Sequence, residues 1–190
     1  HCVHGAQVAV KIVRPDTALS HEALHDAFAR EVAAQAALLH PNISAILDFG
    51  VLEEDLVGAD RGTPWLAMEY ASGGTLADAG AMPTSWDAAR ALLHALLDAL
   101  AHAHARDVVH RDIKPSNLLL ALPGDLRPGI KLADFGLAWN VGSSDRHLSA
   151  LGTKYYAAPE QVMGDRRAQG RWTDLYAVGV LTCAMVCGTA

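Results

Sequence analysis

The stretch His110–Asn117, which reads H-R-D-I-K-P-S-N, places charged side chains between apolar segments. A Leu- and Ala-rich segment precedes it and Leu118–Leu120 follows it. Asp112 and Lys114 carry opposite charges two residues apart. Burying such groups is costly unless they are paired or used. The sequence therefore predicts a functional polar site that is enclosed by apolar segments.

The composition allows a buried core and argues against nucleic acid as the main partner. The chain has 190 residues, 51% of them hydrophobic, and a net charge of −6 with no basic tail. No signal peptide is visible. The uncharged run Leu175–Ala190 is shorter than the roughly 20 apolar residues of a membrane span, so we expect a buried helix there.

The first part of the chain predicts a small sheet with one helix. Alternation in Ala6–Arg14 predicts a strand on which Lys11 shares a face with small apolar residues. A helix is predicted over His21–Leu39, and Glu31 lies in its apolar stripe with Leu24, Phe28, Gln35 and Leu38. A carboxylate there needs a partner, and Lys11 is the nearest inward-facing cation. The alternatives are an edge-strand lysine and a solvated glutamate.

Further strands are predicted over Ile43–Val51 and Pro64–Tyr70, followed by a flexible link at Ala71–Gly74. A helix is then predicted from a cap at Thr84 to Arg106. We interpret its histidines, His94, His102 and His104, as ordinary surface residues rather than metal ligands. The last helix is predicted to open at Thr173-Asp174. Its cysteines, Cys183 and Cys187, are expected to be small buried hydrophobes, with a redox pair as the alternative.

A β-hairpin is predicted from Leu118–Ala121 and Ile130–Ala133. Its ends carry Asn117 on one strand and Asp134 on the other. An amide oxygen and a carboxylate that converge in this way suit Mg²⁺, especially when substrate phosphates complete the coordination. The long polar segment Leu137–Lys154 that follows is expected to be a functional loop.

Short motifs along the chain resemble, in order, those of the protein kinases. They are Val8-Ala9-Val10-Lys11, Glu31, Met68-Glu69-Tyr70-Ala71, His110–Asn117, Asp134-Phe135-Gly136, Ala158-Pro159-Glu160 and Asp174. Each is weak evidence alone, but their common order over nearly the whole chain is strong evidence. The chain is thus similar to eukaryotic-like (Hanks-type) protein Ser/Thr kinases, and Ala37–Ile43 with the alanine-rich helices is typical of bacterial members.

The resemblance implies an α+β, bilobal protein-kinase-like fold. Residues 1–71 would form a partial N-lobe and residues 72–190 a partial C-lobe. No Gly-x-Gly-x-x-Gly precedes Lys11, and the family continues beyond the last helix, where Glu160 normally finds an arginine partner. We therefore expect an internal fragment that is truncated at both ends, poorly soluble and nearly inactive when it is expressed alone, with Glu160 unpaired.

The resemblance also implies the roles of individual residues. The catalytic set would be Asp112, Lys114, Lys11 and Glu31. ATP would contact Ala9, Lys11, Met68, Glu69, Ala71, Leu119 and Asp134. Mg²⁺, with Mn²⁺ as an alternative, would be held by Asn117 and Asp134. Lys114 together with Thr153 marks the Ser/Thr class.

The implied regulatory residues are Arg111, Ser149 and Thr153. In the family, an arginine before the catalytic aspartate often pairs with a phosphorylated activation loop. The available hydroxyls are those of Ser143, Ser144, Ser149 and Thr153. Ser149 is the preferred phosphorylation site, whereas Thr153 is assigned to the floor of the active site.

The implied function is transfer of the ATP γ-phosphoryl group to Ser or Thr hydroxyls of proteins in signal transduction. A kinase-fold pseudoenzyme or scaffold is the alternative from another class, and a kinase for small molecules is disfavoured by Lys114 and the Ala158–Glu160 motif. The implied location is cytoplasmic. Sensor domains or a membrane anchor in the parent protein remain open.

Overall fold

The structure, a computed structural model, describes residues 7–12, 28–29, 32–56, 59–78, 80–135 and 153–187. Three antiparallel strands form a sheet in its first part: β1 (Val8–Ile12), β2 (Ile46–Val51) and β3 (Pro64–Glu69), in the order β1-β3-β2. The central strand β3 is the most buried because it is apolar along most of its length. These strands agree with the predicted ones within a few residues at each end.

The side of the sheet that bears Ala9 packs on a small core. Residues 28–29 and 32–36 are helical, and the buried cluster there contains Phe28, Val32, Leu66 and Met68. Phe28, Gln35 and Leu38 of the predicted stripe are buried, as expected for one helix face. The structure does not describe Leu24 or Glu31, so the pairing predicted for Glu31 lies outside the described residues.

The second part of the chain is mainly helical. Helix α1 (Trp86–His104) packs on α4 (Arg171–Cys187), and the hairpin of β4 (Leu118–Ala121) and β5 (Gly129–Leu132) lies beside α1. Two four-residue helices, α2 (Thr153–Tyr156) and α3 (Pro159–Val162), precede α4. The core contains Leu96, Leu100, Leu118, Leu132 and Leu181 among others.

The cap of α1 differs from the prediction by one residue. Ser85, not Thr84, is the N-cap, and its hydroxyl accepts the N–H of Ala88 at 3.2 Å. The two neighbouring residues are both good cap formers, so the sequence alone does not distinguish them.

The link between the two parts forms hydrogen bonds with β4, which the sequence did not predict. Gly73 N–H donates to the carbonyl of Leu120 at 2.9 Å, and Leu120 N–H donates to Gly74 at 2.9 Å. A Cβ on Gly73 would lie 2.5 Å from the Leu120 carbonyl oxygen. The glycine is therefore required because the link approaches the edge of β4 so closely.

Helix α4 buries one face and exposes the other. Thr173, Asp174, Ala177, Val178 and Leu181 lie on its buried face. Cys183 and Cys187 are exposed, so the prediction that they are buried hydrophobes is wrong. Both cysteines lie on the outward face of α4, which is about half a turn around the helix axis from the buried face. Within the described residues, no helix is long and apolar enough to cross a membrane.

Candidate active site

Asp174, on the first turn of α4, holds the backbone of the His110–Asn117 stretch. Its Oδ1 accepts the N–H of Arg111 at 2.7 Å, and its Oδ2 accepts the N–H of His110 at 2.9 Å. Asp174 is only 1% exposed, so water does not compete for these bonds. They hold Arg111 at a φ of +66°, a left-handed conformation that a residue with a Cβ adopts only when its surroundings enforce it.

His104 completes this anchor, and its interpretation as a surface histidine is wrong. It is buried at the end of α1, and its Nε2 lies 2.7 Å from Oδ2 of Asp174. The signal was present in the sequence, because the apolar period of α1 extends to position 104. The anchor thus joins α1, α4 and the loop through one carboxylate.

His110 is fully buried and joins the loop to the end of the hairpin. Its Nε2–H donates to the carbonyl of Ala133 at 2.9 Å, and its Nδ1 accepts the N–H of Asp112 at 3.2 Å. These partners fit the neutral imidazole that carries its proton on Nε2. The ring also packs against Phe135, with centroids 4.6 Å apart. His110 thereby sets the backbone at Asp112 relative to Asp134, which lies between Ala133 and Phe135.

The carboxylate of Asp112 is held by two neighbours in the loop. Asn117 Nδ2 donates to the Asp112 carbonyl at 2.7 Å and to Oδ2 at 2.9 Å. Lys114 Nζ lies 2.8 Å from the same Oδ2. The side-chain nitrogen of Asn117 donates to Asp112, so the amide oxygen is the Asn117 atom that could bind a metal ion. Asp112, Lys114 and Asn117 therefore lie together.

The hairpin brings Asn117 close to Asp134, as its sequence suggested. Leu118 pairs with Leu132, and Ala133 N–H donates to the carbonyl of Asn117 at 3.0 Å. Asp134, the next residue, has a φ of +63°. The two oxygen-bearing side chains thus extend from neighbouring strand ends. The described residues contain no cluster of three or more His, Cys, Asp and Glu suited to a metal. Mg²⁺ needs only one or two carboxylates when substrate phosphates and water complete its coordination.

Lys11 reaches this site from β1. Its Nζ lies 2.7 Å from Oδ1 of Asp134, and the side chains are 38% and 33% exposed, so a ligand can reach both groups. Lys11 shares the inward face of β1 with Ala9, which packs on the small core. The ion pair connects the three-stranded sheet to the hairpin across 123 positions of the chain.

The residues proposed to contact adenine lie where β3 leaves the sheet. Met68 and Glu69 are buried at the end of β3, and Ala9 pairs with Met68 in the sheet. Ala71 follows β3. Leu119 lies on β4, where it forms a bridge to Thr75, the residue after the link.

Sequence reasoning missed Arg127, which binds the side chain of Glu69. Arg127 Nε donates to Glu69 Oε1 at 2.5 Å, and its Nη2 also pairs with Oε2. Its remaining donors reach the carbonyls of His40, at 3.1 Å, and Ile43, at 2.9 Å. Arg127 comes from the loop of the hairpin, where no local pattern distinguishes it from a solvated arginine.

The pKa values of Glu69 and of the neighbouring Lys131 both depart from their usual range. Burial raises the pKa of Glu69, but the hydrogen bonds from Arg127 and from Ala45 N–H and the charge of Arg127 outweigh it, so the pKa lies below the usual range. Burial lowers the pKa of neighbouring Lys131, which is 1% exposed and donates to the carbonyl of Pro41 at 2.5 Å. Sequence reasoning missed Lys131 as well.

The segment after the long loop also differs from expectation. Glu160 is not unpaired: Thr173 Oγ1 donates to its Oε1 at 2.6 Å. Thr153 opens α2, but its side chain lies outside the described residues, as does all of Ser149. Of the three proposed regulatory residues, Arg111 is the one whose backbone hydrogen bonds are described here.

Comparisons with known proteins show the family of the chain. A family model described as "Protein kinase domain" matches residues 1–190. The serine/threonine-protein kinase PrkC of Bacillus subtilis is 36% identical over 186 residues, covering 96% of this chain and 26% of PrkC. The serine/threonine-protein kinase Pkn1 of Myxococcus xanthus is 34% identical over 194 residues, covering 99% of this chain and 26% of Pkn1.

Solved structures give the same result for the fold. The crystal structure of the PknI kinase domain of Mycobacterium tuberculosis matches with a TM-score of 0.67 and 28% identity, covering 95% of this chain and 64% of that one. The chain spans about a quarter of the length of the two curated relatives. The order of the motifs, the anchored loop and the match over all residues lead to one conclusion: the chain belongs to the protein kinase domain family.

Proposed function

We propose that the protein containing this chain is an ATP- and Mg²⁺-dependent protein serine/threonine kinase. The observation that carries the proposal is the arrangement around Asp112. Lys114 and Asn117 hold its carboxylate, and Asp174 anchors the loop from below. The names of the relatives, PrkC and Pkn1, support the Ser/Thr class.

Asp112 would orient the substrate hydroxyl and accept its proton. Its pairing with Lys114 holds the carboxylate in place, and the same ammonium would steady the transferring phosphoryl group. Asn117 and Asp134 would hold Mg²⁺, which would neutralise the charge that develops on the transferring phosphoryl group. Phosphoryl transfer needs little covalent chemistry from the protein, so positioning and electrostatics provide most of the catalysis.

Lys11 would bind the α- and β-phosphates, steadied by Glu31. In the structure Lys11 is paired with Asp134 at 2.7 Å. Both groups need a partner of opposite charge in this partly buried place. Bound nucleotide and metal would offer each a new partner, so the ion pair is a resting arrangement that nucleotide replaces.

Adenine would lie between Ala9 and Leu119, with Met68 at the back of the pocket. The backbone groups of Glu69 and Ala71 would bind its edge. In this assignment residues 1–71 are the N-lobe part and residues 72–190 the C-lobe part. The Arg127 contacts fix the side chain of Glu69, and its N–H donates to the carbonyl of Ala45 at 3.1 Å, so its carbonyl is the backbone group that would bind adenine.

The protein substrates would carry Ser or Thr hydroxyls. Arg111 would receive a phosphate from the activation segment, on Ser149, through charge-assisted hydrogen bonds. The kinase domain would act in the cytoplasm.

The test uses the complete protein and its Asp112→Asn variant. We expect transfer of labelled phosphate to a generic basic protein, and a decrease of about 10²–10⁴-fold in the variant. ATP binding, measured by calorimetry, should survive because Asp112 does not hold the nucleotide. Equal activity of the two proteins would contradict the mechanism. Transfer to choline or sugars instead of protein would contradict the substrate class, and ATP binding without any transfer would indicate a pseudoenzyme.

A further inference from the structure

We propose that Gln161 is a positioning residue for Asp112. Gln161 lies on α3, immediately after the Ala158–Glu160 motif, and has no part in the chemistry assigned above. Its side chain connects the segment around that motif to the backbone of the catalytic loop. The proposal rests on the proposed kinase function, because it concerns the residue that would accept the substrate proton.

Both ends of the Gln161 amide are used. Its Oε1 accepts the N–H of Ala158 at 3.0 Å, and its Nε2 donates to the carbonyl of Arg111 at 2.6 Å. A reversed amide would place oxygen against oxygen at Arg111 and N–H against N–H at Ala158. The hydrogen-bond partners therefore determine one orientation of the side chain.

The Arg111 carbonyl belongs to the peptide group that leads into Asp112. On one side Arg111 N–H is held by Asp174 at 2.7 Å. On the other side Asp112 N–H is held by His110 Nδ1 at 3.2 Å. Gln161 supplies the bond to the carbonyl between them. These three side chains fix the peptide planes on both sides of Arg111, whose φ is +66°.

The position of Gln161 gives this bond a consequence for activity. Asp174 is buried on α4 and His110 is buried at the start of the loop itself. Gln161 instead lies on α3, which follows α2 and the long segment before it. A displacement of residues 158–163 would thus move or release the Arg111 carbonyl and turn Asp112. Since a misplacement of about 1 Å at a reacting group can reduce the rate about 100-fold, a single hydrogen bond is sufficient.

The test uses the complete protein and a series of substitutions that separates the donor from the shape of the side chain. Gln161→Glu keeps the length and the acceptor for Ala158 but replaces the donor at Arg111 with an oxygen. Gln161→Lys retains a donor that can reach the Arg111 carbonyl. Gln7→Glu, at an exposed glutamine just before β1, is the matched control at another glutamine.

We expect Gln161→Glu to lower kcat about 10- to 100-fold, in line with a misplaced reacting group. The KM for ATP should be unchanged, since the Gln161 side chain bonds to Ala158 and Arg111 and not to Lys11 or the end of β3. Gln161→Lys should restore most of kcat, and Gln7→Glu should resemble the wild type. Amide hydrogen exchange at Asp112 should be faster in Gln161→Glu than in the wild type or Gln161→Lys.

Other outcomes overturn the proposal. Unchanged kcat and unchanged exchange in Gln161→Glu, in a protein whose Asp112→Asn variant is inactive, would refute the positioning role and leave the kinase function intact. Equal losses in Gln161→Glu and Gln161→Lys, with a matching fall in Tm, would show that Gln161 only stabilises the fold. A wild-type protein that transfers no phosphate to proteins would refute the kinase function and the inference together.

Discussion

Nε2 of His104 lies 2.7 Å from Oδ2 of Asp174, and both residues are buried. The same carboxylate accepts the backbone N–H groups of His110 and Arg111. One side chain therefore connects α1, α4 and the catalytic loop. Because all of these contacts converge on the Asp174 carboxylate, no neighbouring side chain can take over its role when Asp174 is removed.

We predict that Asp174→Ala destabilises the protein strongly. The substitution leaves two backbone N–H groups and His104 without their buried acceptor, and loss of one partner from such a buried charged cluster costs about 3–5 kcal/mol. Urea unfolding followed by circular dichroism measures the change. The control is Arg171→Ala, which removes an exposed ion pair with Asp107 and should cost about 0.2–1 kcal/mol. Similar costs for both variants would contradict the anchor.

A second prediction concerns the buried Glu69–Arg127 pair. Arg127→Leu should reduce the free energy of unfolding by about 3–5 kcal/mol, because Glu69 keeps a buried charge without its partner. Removing both charges in Glu69→Leu with Arg127→Leu should recover part of the loss. A double-mutant cycle by urea unfolding measures the coupling. Additive losses in the double variant would show that the pair is not coupled.

The same pair predicts a dependence of stability on pH. The pKa of Glu69 in the folded protein lies below its ordinary value. Stabilisation by its ionised form is therefore fully present above about pH 4.3, the pKa of an unfolded glutamate, and is lost as the pH falls through the folded-state pKa. We expect the difference in unfolding free energy between wild type and Glu69→Gln to decrease below about pH 4.3. A constant difference between neutral and acidic pH would refute this assignment.

The parts of the site that the sequence predicts are those that depend on local order. Asn117 and Asp134 are expected near one another because antiparallel pairing of the two strands of a hairpin places the start of one beside the end of the other. The strand register confirms this, with Leu118 opposite Leu132. Lys11 was expected to face inward because strands alternate, and Ala9 on the same face packs on the core.

The parts that the sequence does not predict depend on contacts between distant residues. Glu69 and Arg127 are 58 positions apart, and His104 and Asp174 are 70 positions apart. The period of α1 places position 104 on a buried face but does not identify the carboxylate that it meets. Similarly, the run of glycines at 73–74 indicates flexibility, whereas the close approach of β4 requires glycine for lack of space.

Gly73 gives a third kind of test, based on space. In Gly73→Ala the new Cβ would meet the backbone carbonyl of Leu120, which a side chain rotation cannot relieve. We expect a loss of about 1–3 kcal/mol in stability, as for other insertions into packed places. The affinity for ATP should also fall, because the displaced link carries Ala71. Gly124→Ala in the hairpin loop, where a Cβ would meet nothing within 4 Å, is the control and should show neither effect.

The outward face of α4 predicts how the 190-residue chain behaves alone. Trp172, Leu175 and Val186 are 62%, 52% and 66% exposed on this face, and large exposed apolar patches promote association. We expect the isolated chain to self-associate in sedimentation velocity. Replacing Leu175 and Val186 together by Gln should increase the monomer fraction, because the two changes reduce the patch without touching the buried face. Leu126→Gln, at an exposed leucine of the hairpin loop, should have no such effect. A wild-type chain that remains monomeric at all concentrations tested would contradict the association.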